Sequence, residues 1–313
     1  MDSVNRRSFV KTAALSGAGL ALAPTLSGSS LLTKEAAGKS WNIHFFSKHL
    51  QFLDYQGAAE ACAEAGMSGA DLTVRPGGHV LPENVERDLP LAVKAFKTAG
   101  LKIEMMASGI TDPEDPLTET VLRTASEWGI NYYRLGYYRY DHKISMVNNL
   151  EKIKKQMSGL ARLNEKYQIH GAYQNHAGSN FGAPVWDLWT VIKDMDPQWT
   201  GVQYDVRHAT VEGNRSWPLG MRLLKDHIRC MVIKDFTWGV QDGRAREVNV
   251  PVGEGVVDFA AYFKLVKELG VHGPITIHLE YEMFPDKEMT QAQKRDHAIS
   301  LMKKDLAALK QYL

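Results

Sequence analysis

The sequence predicts an α/β protein that folds as a single closed (β/α)8 barrel, and three observations lead to this prediction. From residue 40 onwards, short apolar runs alternate with longer segments of helical periodicity. Eight such runs, seven connecting helical segments and one closing helical segment can be counted, and repeating βα units of this number imply a closed parallel sheet. No G-x-G-x-x-G motif follows a predicted strand, which argues against an open doubly wound sheet, the alternative architecture.

The predicted strands are the short apolar runs. They cover residues 43–46, 69–74, 102–106, 132–135, 169–174, 201–205, 230–234 and 275–280. Successive side chains of a strand alternate between its two faces, so Thr276, His278 and Glu280 share one face of the last strand. The other face of that strand is aliphatic and is expected to meet the helices. The polar face therefore points into the barrel.

The predicted helices follow the strands in order and several of them end at glycine. They cover residues 55–65, a segment ending at residue 99, a segment ending at residue 128, and residues 146–167, 185–195, 217–227, 259–269 and 292–313. Gly66, Gly100, Gly129 and Gly270 each follow a predicted helix. Glycine is favoured at this position because it adopts the left-handed conformation that ends many helices.

Residues 1–37 are predicted to be an export signal, and the barrel is predicted to span residues 38–313. Arg6 and Arg7 precede a moderately apolar stretch, residues 12–26, and this arrangement is typical of the bacterial twin-arginine signal peptide. A short membrane anchor is the alternative, but the stretch falls short of the ~20 apolar residues that a span needs. We expect a periplasmic protein without stable membrane insertion after processing.

The charge of the remaining chain limits its partners. Removal of residues 1–35 takes away four basic and two acidic residues and leaves 33 basic and 34 acidic ones. No basic excess remains to hold a phosphate backbone, so nucleic acid is not expected as a partner. Cys62 and Cys230 lie in apolar patterns and are expected to be buried free thiols. The sequence leaves the oligomeric state open.

The stretch GVQYDVRHATVE at residues 201–212 contains the first candidate site residues. Asp205 ends a predicted strand, and His208 follows on the first turn beyond it. A carboxylate and an imidazole at this position are typical of a metal site or an acid–base site. The alternative is a helix-capping aspartate beside an ordinary surface histidine.

Polar side chains also occur at the carboxyl ends of the other predicted strands, where the active site of a (β/α)8 barrel lies. They are Lys48, His49, Arg75, His79, Arg134, Tyr138, Gln174, His176, Asp205, His208, Lys234, Asp235, His278 and Glu280. So many polar strand ends favour a functional site over solvated loops. For Lys234 and Asp235, an ordinary structural ion pair is the alternative to a functional role.

Several of these strand ends resemble those of the xylose isomerase-like TIM barrel proteins, the sugar phosphate isomerase/epimerase superfamily. The segments that carry the resemblance are YQNHAG at 173–178, YDVRHA at 204–209, VIKDF at 232–236, PVGEGVVDF at 251–259 and HLEYE at 278–282. Their order and spacing match the family from its fifth strand to its eighth. The family includes metal-dependent ketose 3-epimerases, inosose dehydratases and endonuclease IV.

The resemblance implies a divalent metal ion, Mn, Mg or Zn, bound by Glu, Asp, His and Glu on strands five to eight. Of these ligands, Asp205 and Glu280 are present, while Gln174 and Val232 occupy the other two positions. Glutamine can still offer a carbonyl oxygen, and His176 or His208 could complete the set. The predicted metal ligands are Asp205, Glu280, His176 and Gln174.

The resemblance also implies a reaction, the removal of a proton from a carbon beside a sugar carbonyl. Glu280 is the expected base or metal ligand, Lys234 the expected cation at the developing oxyanion, and His208 the expected proton carrier or hydroxyl ligand. The side chains expected to hold the rest of the sugar are Lys48, Arg75, His79, Arg134 and His278.

A ketose or keto-sugar is the expected substrate, and isomerisation or epimerisation the expected outcome. A keto-glycoside lyase or dehydratase and a non-catalytic sugar-binding barrel remain alternatives. Endonuclease IV-like cleavage is disfavoured by the near-neutral charge and by too few His and Glu residues for a metal cluster.

Overall fold

The computed structural model describes residues 41–313, and the predicted signal peptide lies outside them. Eight parallel strands form a closed barrel, in which each strand pairs with the next along the chain and the last pairs with the first. The barrel strands are β1 (Ile43–Phe46), β2 (Gly69–Val74), β3 (Lys102–Ser108), β4 (Tyr132–Arg134), β5 (His170–Gln174), β6 (Thr200–Asp205), β7 (Ile228–Ile233) and β10 (Ile275–Ile277). The prediction of a (β/α)8 TIM barrel is confirmed.

Helices surround the barrel and follow its strands, as the alternating pattern predicts. They are α1 (Tyr55–Glu64), α2 (Val85–Thr98), α3 (Pro116–Glu127), α4 (Met146–Tyr167), α5 (Val185–Ile192), α6 (Val206–Gly213), α7 (Trp217–Leu224), α8 (Phe259–Leu269) and α9 (Gln291–Lys310). Side-chain caps define several helix starts, and Asp54 accepts a hydrogen bond from the Gly57 amide at the start of α1. Gly66 follows α1 with φ +79°, as the predicted stop requires.

An antiparallel hairpin between β7 and α8 was not predicted. Its strands are β8 (Asp235–Gln241) and β9 (Arg244–Val250). Asp242 and Gly243 form the two-residue turn, with φ of 51° and 71°. An Asp-Gly pair between strand-like segments is a strong hairpin signal, because this turn needs positive φ at both residues. The hairpin places the end of β9 beside the carboxyl end of the barrel.

The main hydrophobic core lies between the strands and the helices. On β10, Ile275 and Ile277 belong to this core, whereas Thr276 is fully buried on the opposite, polar face. The predicted alternation of this strand is therefore confirmed. Cys62 and Cys230 are both buried free thiols. Within residues 41–313, no helix is both long and apolar enough to cross a membrane.

Candidate active site at the carboxyl ends of the strands

Asp205 is the residue around which the site is built, and it has two roles. Its Oδ1 accepts a hydrogen bond of 3.0 Å from the backbone N–H of His208, so it caps α6. Its Oδ2 faces other side chains of the barrel mouth. The carboxylate is fully buried, so both oxygens need partners from the protein. The two interpretations of Asp205 are therefore compatible, because Oδ1 caps the helix while Oδ2 is available to the site.

The Oδ2 atom of Asp205 is shared by side chains from three neighbouring elements. Lys234 Nζ, just after β7, lies 3.1 Å away, and Gln174 Nε2, at the end of β5, donates at 2.7 Å. His208 Nε2 lies 3.7 Å from the same oxygen. Asn175 exchanges two hydrogen bonds with the Asp205 backbone, at 2.8 and 2.9 Å, and holds the ends of β5 and β6 together. The carboxylate is therefore held on every side by donors.

His208 lies between two basic side chains. Its Nδ1 is 3.1 Å from Arg207 Nη1, and its Nε2 is 2.8 Å from Lys234 Nζ. Burial, together with the charge of Lys234, holds the pKa of His208 well below 6.5, so the ring is neutral at neutral pH. Arginine can only donate, so Nδ1 carries the lone pair of the ring and Nε2 carries its proton. The Nε2–H of His208 and a charged Lys234 are both donors, so the charged lysine directs its hydrogens to Asp205 rather than to the ring.

Lys234 is 5% exposed, and two opposing effects act on it. Burial lowers the pKa of Lys234, while the carboxylates of Asp205 and Glu280 raise it, and the net direction is downward. Lys234 therefore loses a proton more readily than an exposed lysine. When it is charged, its close partner is the Asp205 carboxylate.

Gln174 connects Asp205 to the fourth strand. Its Oε1 accepts from Arg134 Nη1 at 3.1 Å and from the Tyr137 hydroxyl at 2.6 Å. Because both partners donate to this oxygen, the amide nitrogen must face Asp205. Tyr138, the tyrosine noted in the sequence, instead donates to the Thr111 carbonyl and stacks on Tyr173 away from this group.

Glu280 lies at the mouth beyond β10, with its side chain 25% exposed. Its Oε2 is 3.1 Å from Lys48 Nζ, and its Oε1 is 3.7 Å from His278 Nδ1. Burial alone would raise the pKa of Glu280, but His278, the Lys234 charge and His49 outweigh it, and the pKa is lowered. Glu280 is therefore a carboxylate at neutral pH.

His278 and the basic residues of strands two and four meet at Phe46. The His278 ring stacks on Phe46, with centroids 4.1 Å apart and planes at 18°. The guanidinium carbons of Arg75 and Arg134 lie 5.6 and 5.7 Å from the centre of the same ring. Burial lowers the pKa of His278 to about 3, so this ring is neutral.

Two predicted histidines have different surroundings. His176 packs against His208, with ring centroids 3.8 Å apart, so it belongs to the site. His79 does not join this group. Its Nδ1 is 3.1 Å from the Ser47 hydroxyl, and its backbone N–H donates to Thr73 at 2.9 Å. These contacts fix the loop after β2, and the predicted sugar contact of His79 stays a prediction.

The predicted metal ligands do not fit a divalent ion in this arrangement. Among residues 41–313, no group of three His, Cys, Asp or Glu side chains is placed to hold a metal. The expected carbonyl ligand of Gln174 is turned towards Arg134, and its N–H donates to Asp205. Lys234 holds the Asp205 oxygen that a metal would need. Val232, aligned with Asp205 on the next strand, offers no ligand atom.

Lys234 and Asp235 do not form the ion pair with each other that the sequence allows. The Asp235 carboxylate instead accepts backbone N–H groups of Gly253, Gly255 and Val257, at 2.9 to 3.2 Å. A Cβ at Gly255 would lie 2.2 Å from the Asp235 carboxylate, so only glycine fits there. The G-x-G segment before α8 therefore anchors the base of the hairpin, and Lys234 is left to pair with Asp205.

Four residues of the site were missed in the sequence. They are Tyr137, Asn175, Arg207 and Asn249. Arg207 Nη2 donates to Asn249 Oδ1 at 2.9 Å, and Asn249 Nδ2 donates to the Glu280 carbonyl at 3.3 Å. Arg207 stands within the YDVRHA segment, so its position next to His208 was the available signal. Asn249 could be found only by recognising the hairpin.

A cavity of about 320 Å³ opens beside this group, and Lys48, His49 and Glu280 line one side of it. Its remaining wall is formed mainly by Phe52, Met283 and Phe284. Small-molecule sites typically have volumes of ~300–1,000 Å³ and combine an apolar wall with a few polar groups. The cavity has these properties, and Lys48 and Glu280 are the charged side chains among its lining residues.

Comparison with known proteins identifies the family and the fold of the chain. The family model described as xylose isomerase-like TIM barrel matches residues 59–311. Among curated proteins, no significant match is found.

Several solved structures share the fold. The IOLI protein with a bound zinc atom superposes with a TM-score of 0.64 at 18% identity, covering 87% of this chain and 99% of that chain. D-allulose 3-epimerase from Methylomonas sp. in complex with D-allulose gives a TM-score of 0.63 at 17% identity, covering 87% and 97%. The 3-keto-D-glucoside 4-epimerase from E. coli gives 0.62 at 13% identity, covering 84% and 99%. At these identities the likeness establishes the fold.

Proposed function

Because the chain belongs to the xylose isomerase-like TIM barrel family, we propose that it is a sugar isomerase or epimerase that acts on a ketose or keto-sugar. The reaction would proceed by removal of a proton from the carbon beside the substrate carbonyl. The observation that carries the proposal is the buried Asp205–Lys234–His208 group at the same barrel mouth as the Glu280 carboxylate. Removal of a proton from carbon needs two groups, a base and a positive centre near the carbonyl oxygen.

Lys234 would act at the substrate carbonyl oxygen. The enediolate that forms after proton removal carries negative charge on this oxygen, and a buried amino group stabilises it strongly because little water competes there. Asp205 fixes the position of Lys234 through the contact of 3.1 Å. In this proposal Lys234 supplies the positive charge that a metal ion supplies in metal-dependent enzymes. The proposal is supported by the Lys234 and Gln174 donors, which occupy the Asp205 oxygen that a metal ion would need.

Glu280 would remove the carbon-bound proton. It is ionised, partly exposed and faces the cavity, and its partner Lys48 is itself 43% exposed and can move aside when substrate binds. A carboxylate with a lowered pKa is a weak base, so the reaction also depends on Lys234 to acidify the carbon through its oxygen. The role of Glu280 is therefore tied to that of Lys234.

His208 would hold a hydroxyl group of the substrate through its Nε2–H, beside the charged Lys234. The ring is neutral, its Nε2 lies 2.8 Å from Lys234 Nζ, and Arg207 fixes the proton on that nitrogen. His176 stacks on the ring and restricts its rotation. Isomerisation then needs a proton to move from one enediolate oxygen to the other, whereas epimerisation needs a proton to return to the opposite face of the same carbon.

Solvent-deuterium exchange tests the proposed function directly. The protein is incubated in D2O with a panel of ketoses and 3-keto-glycosides, and the carbon beside the carbonyl is followed by NMR. We expect deuterium to enter at this carbon in at least one substrate, and the Glu280→Gln variant to lose the exchange. Glu151→Gln changes an exposed carboxylate on α4 and serves as the matched control. A panel member that binds without exchange or turnover would favour the sugar-binding alternative.

We also propose that the protein is exported to the periplasm by the twin-arginine route. This proposal is supported by Arg6 and Arg7 ahead of a short apolar stretch. A protein that folds before export would carry its buried Lys234 group into the periplasm already assembled.

A further inference from the structure

Three arginines at the barrel mouth have no carboxylate partner. Arg75, Arg134 and Arg207 are absent from every ion pair within 4.0 Å that residues 41–313 form. The two carboxylates of the mouth are already paired, Asp205 with Lys234 and Glu280 with Lys48, each at 3.1 Å. Buried charges in proteins are normally paired, so unpaired guanidinium groups in one place call for an explanation.

Arg207 is explained by its protein contacts. It donates to Asn249 and His208 and lies 4.9 Å from the centre of the Phe236 ring. Its hydrogen bonds orient the His208 ring, and its charge is spread over an aromatic face. Nothing about Arg207 requires a ligand.

Arg75 and Arg134 form a different arrangement. Both guanidinium groups lie against Phe46, at 5.6 and 5.7 Å, so two like charges are held near one ring. Arg134 is 6% exposed, and its buried Nε has no hydrogen-bond partner within the described chain. Its Nη1 is held by Gln174 and Tyr137, which fixes the plane of the guanidinium. Arg75 is half-buried, and its guanidinium donates no hydrogen bond to residues 41–313.

The neighbouring carboxylates do not neutralise this pair. Asp71 and Glu280 attract Arg75 electrostatically, but both lie beyond ion-pair distance. Asp71 is deep in the barrel, where its Oδ2 is 3.5 Å from Gln203 Nε2, and burial raises its pKa to about 6. Two guanidinium groups with free N–H donors therefore lie beside Phe46, and that of Arg134 is held in place by hydrogen bonds.

The geometry points to a subsite for an anionic group, formed by Arg75 and Arg134 and placed to bind the far end of the substrate while its carbonyl faces Lys234. A carboxylate or a phosphate would satisfy it, because guanidinium groups bind both through paired N–H donors. The substrate class is then an acidic keto-sugar rather than a neutral one. This inference rests on the proposed function for the reaction, but the subsite itself can be tested by binding alone.

The test uses three ketohexoses that differ only at the sixth carbon. D-fructose has a neutral hydroxymethyl group there, D-fructuronate a carboxylate, and D-fructose 6-phosphate a phosphate. Calorimetric titration of the protein with each probe gives the dissociation constants. We expect one or both anionic probes to bind about 10- to 100-fold more tightly than D-fructose, the range of hydrogen bonds to charged groups. The tighter of the two identifies the anion.

Variants of Arg75 separate a specific subsite from a general charge effect. Arg75→Gln should weaken binding of the anionic probe much more than binding of D-fructose, so most of the preference for the anion is lost. Arg75→Lys keeps the charge but loses the planar donor pair, so it should restore only part of the preference. Arg139→Gln removes an exposed arginine from the loop after β4 and is the matched control, for which no change is expected.

Equal binding of the three probes would overturn the subsite, as would an Arg75→Gln variant that weakens D-fructose and the anionic probe alike. The proposed function fails separately. A protein that prefers the anionic probe but exchanges no deuterium into it would keep the subsite and lose the reaction. Deuterium exchange into neutral ketoses, without tighter binding of the anionic probes, would support the reaction and overturn the subsite.

Discussion

Lys234 Nζ lies 3.1 Å from the Oδ2 of Asp205, the carboxylate that the family resemblance predicts as a metal ligand. Both residues are buried, with exposed fractions of 5% and 0%. A buried carboxylate that already accepts from Lys234 and Gln174 has no room for a metal ion unless these donors leave. Loss of Lys234 should therefore affect both the unfolding free energy of the protein and the proposed reaction.

Replacement of Lys234 should separate these two effects. Lys234→Met leaves the Asp205 carboxylate buried and unpaired, which should cost about 3–5 kcal/mol of unfolding free energy. The double variant Asp205→Asn, Lys234→Met removes the charge imbalance and should recover most of that stability. In both variants, the rate of deuterium exchange should fall by about 10²–10³ relative to the wild type.

Urea unfolding and NMR exchange measure the two quantities on the same samples. Lys264→Met, an exposed lysine on α8, is the control and should resemble the wild type in both. Exchange that returns with stability in the double variant would show that Lys234 has only a structural role.

Glu280→Gln tests the base. The substitution keeps the size of the side chain and removes its charge, so turnover should fall by about 10²–10⁴ while the dissociation constant of the substrate changes much less. Steady-state kinetics and calorimetric titration give the two values. An equal loss of affinity and turnover would identify Glu280 as a substrate ligand instead.

The pH dependence of stability should report the buried neutral histidines, and His170 at the start of β5 is the clearest case. Burial lowers its pKa from 6.5 to about 4, while its bond to the Gln198 carbonyl acts in the opposite direction. Below pH 6.5 the unfolded chain binds a proton that the folded protein excludes. Stability is therefore lost as the pH falls from 6.5 towards 4.

His170→Asn should reduce this sensitivity. The amide can still donate to the Gln198 carbonyl, but it does not titrate. Between about pH 7 and about pH 5, the variant should lose about 2 kcal/mol less unfolding free energy than the wild type. Urea unfolding at the two pH values measures the difference. His272→Asn, at an exposed position, is the control, and an equal pH response of the wild type and His170→Asn would contradict the assignment.

Much of the fold could be predicted because it depends on local patterns. Strands β1 and β2 and helices α4 and α8 have the predicted bounds, since each apolar run is flanked by polar or glycine residues. The last barrel strand is shorter than predicted, because its regular pairing with β1 and β7 ends at Ile277 while His278 and Glu280 continue as an irregular segment. Helix α6 was missed because it follows β6 without an intervening turn.

The site could be predicted only in part. Alternation identifies which side chains face the barrel interior, and it brought Asp205, Lys234, His208 and Glu280 together. It does not identify partners across the barrel. The contact of Lys234 with Asp205 instead of Asp235 depends on backbone N–H groups of the G-x-G segment that occupy Asp235. That competition arises only once the chain is folded.

Export can be tested on the precursor. Replacing Arg6 and Arg7 by lysine should hold the protein in the cytoplasm, because the twin-arginine route requires the arginine pair. Cell fractionation followed by immunoblotting measures the distribution. Normal periplasmic recovery of this variant would contradict the twin-arginine assignment.

Lys234 is the proposed positive centre of this site, and deuterium exchange by metal-free protein tests this role most directly. The protein is treated with a chelator, its metal content is measured, and exchange into the substrate identified by the panel is compared before and after treatment. We expect substoichiometric metal and an unchanged exchange rate. Loss of exchange on chelation, followed by recovery with added Mn²⁺, Mg²⁺ or Zn²⁺, would contradict the account.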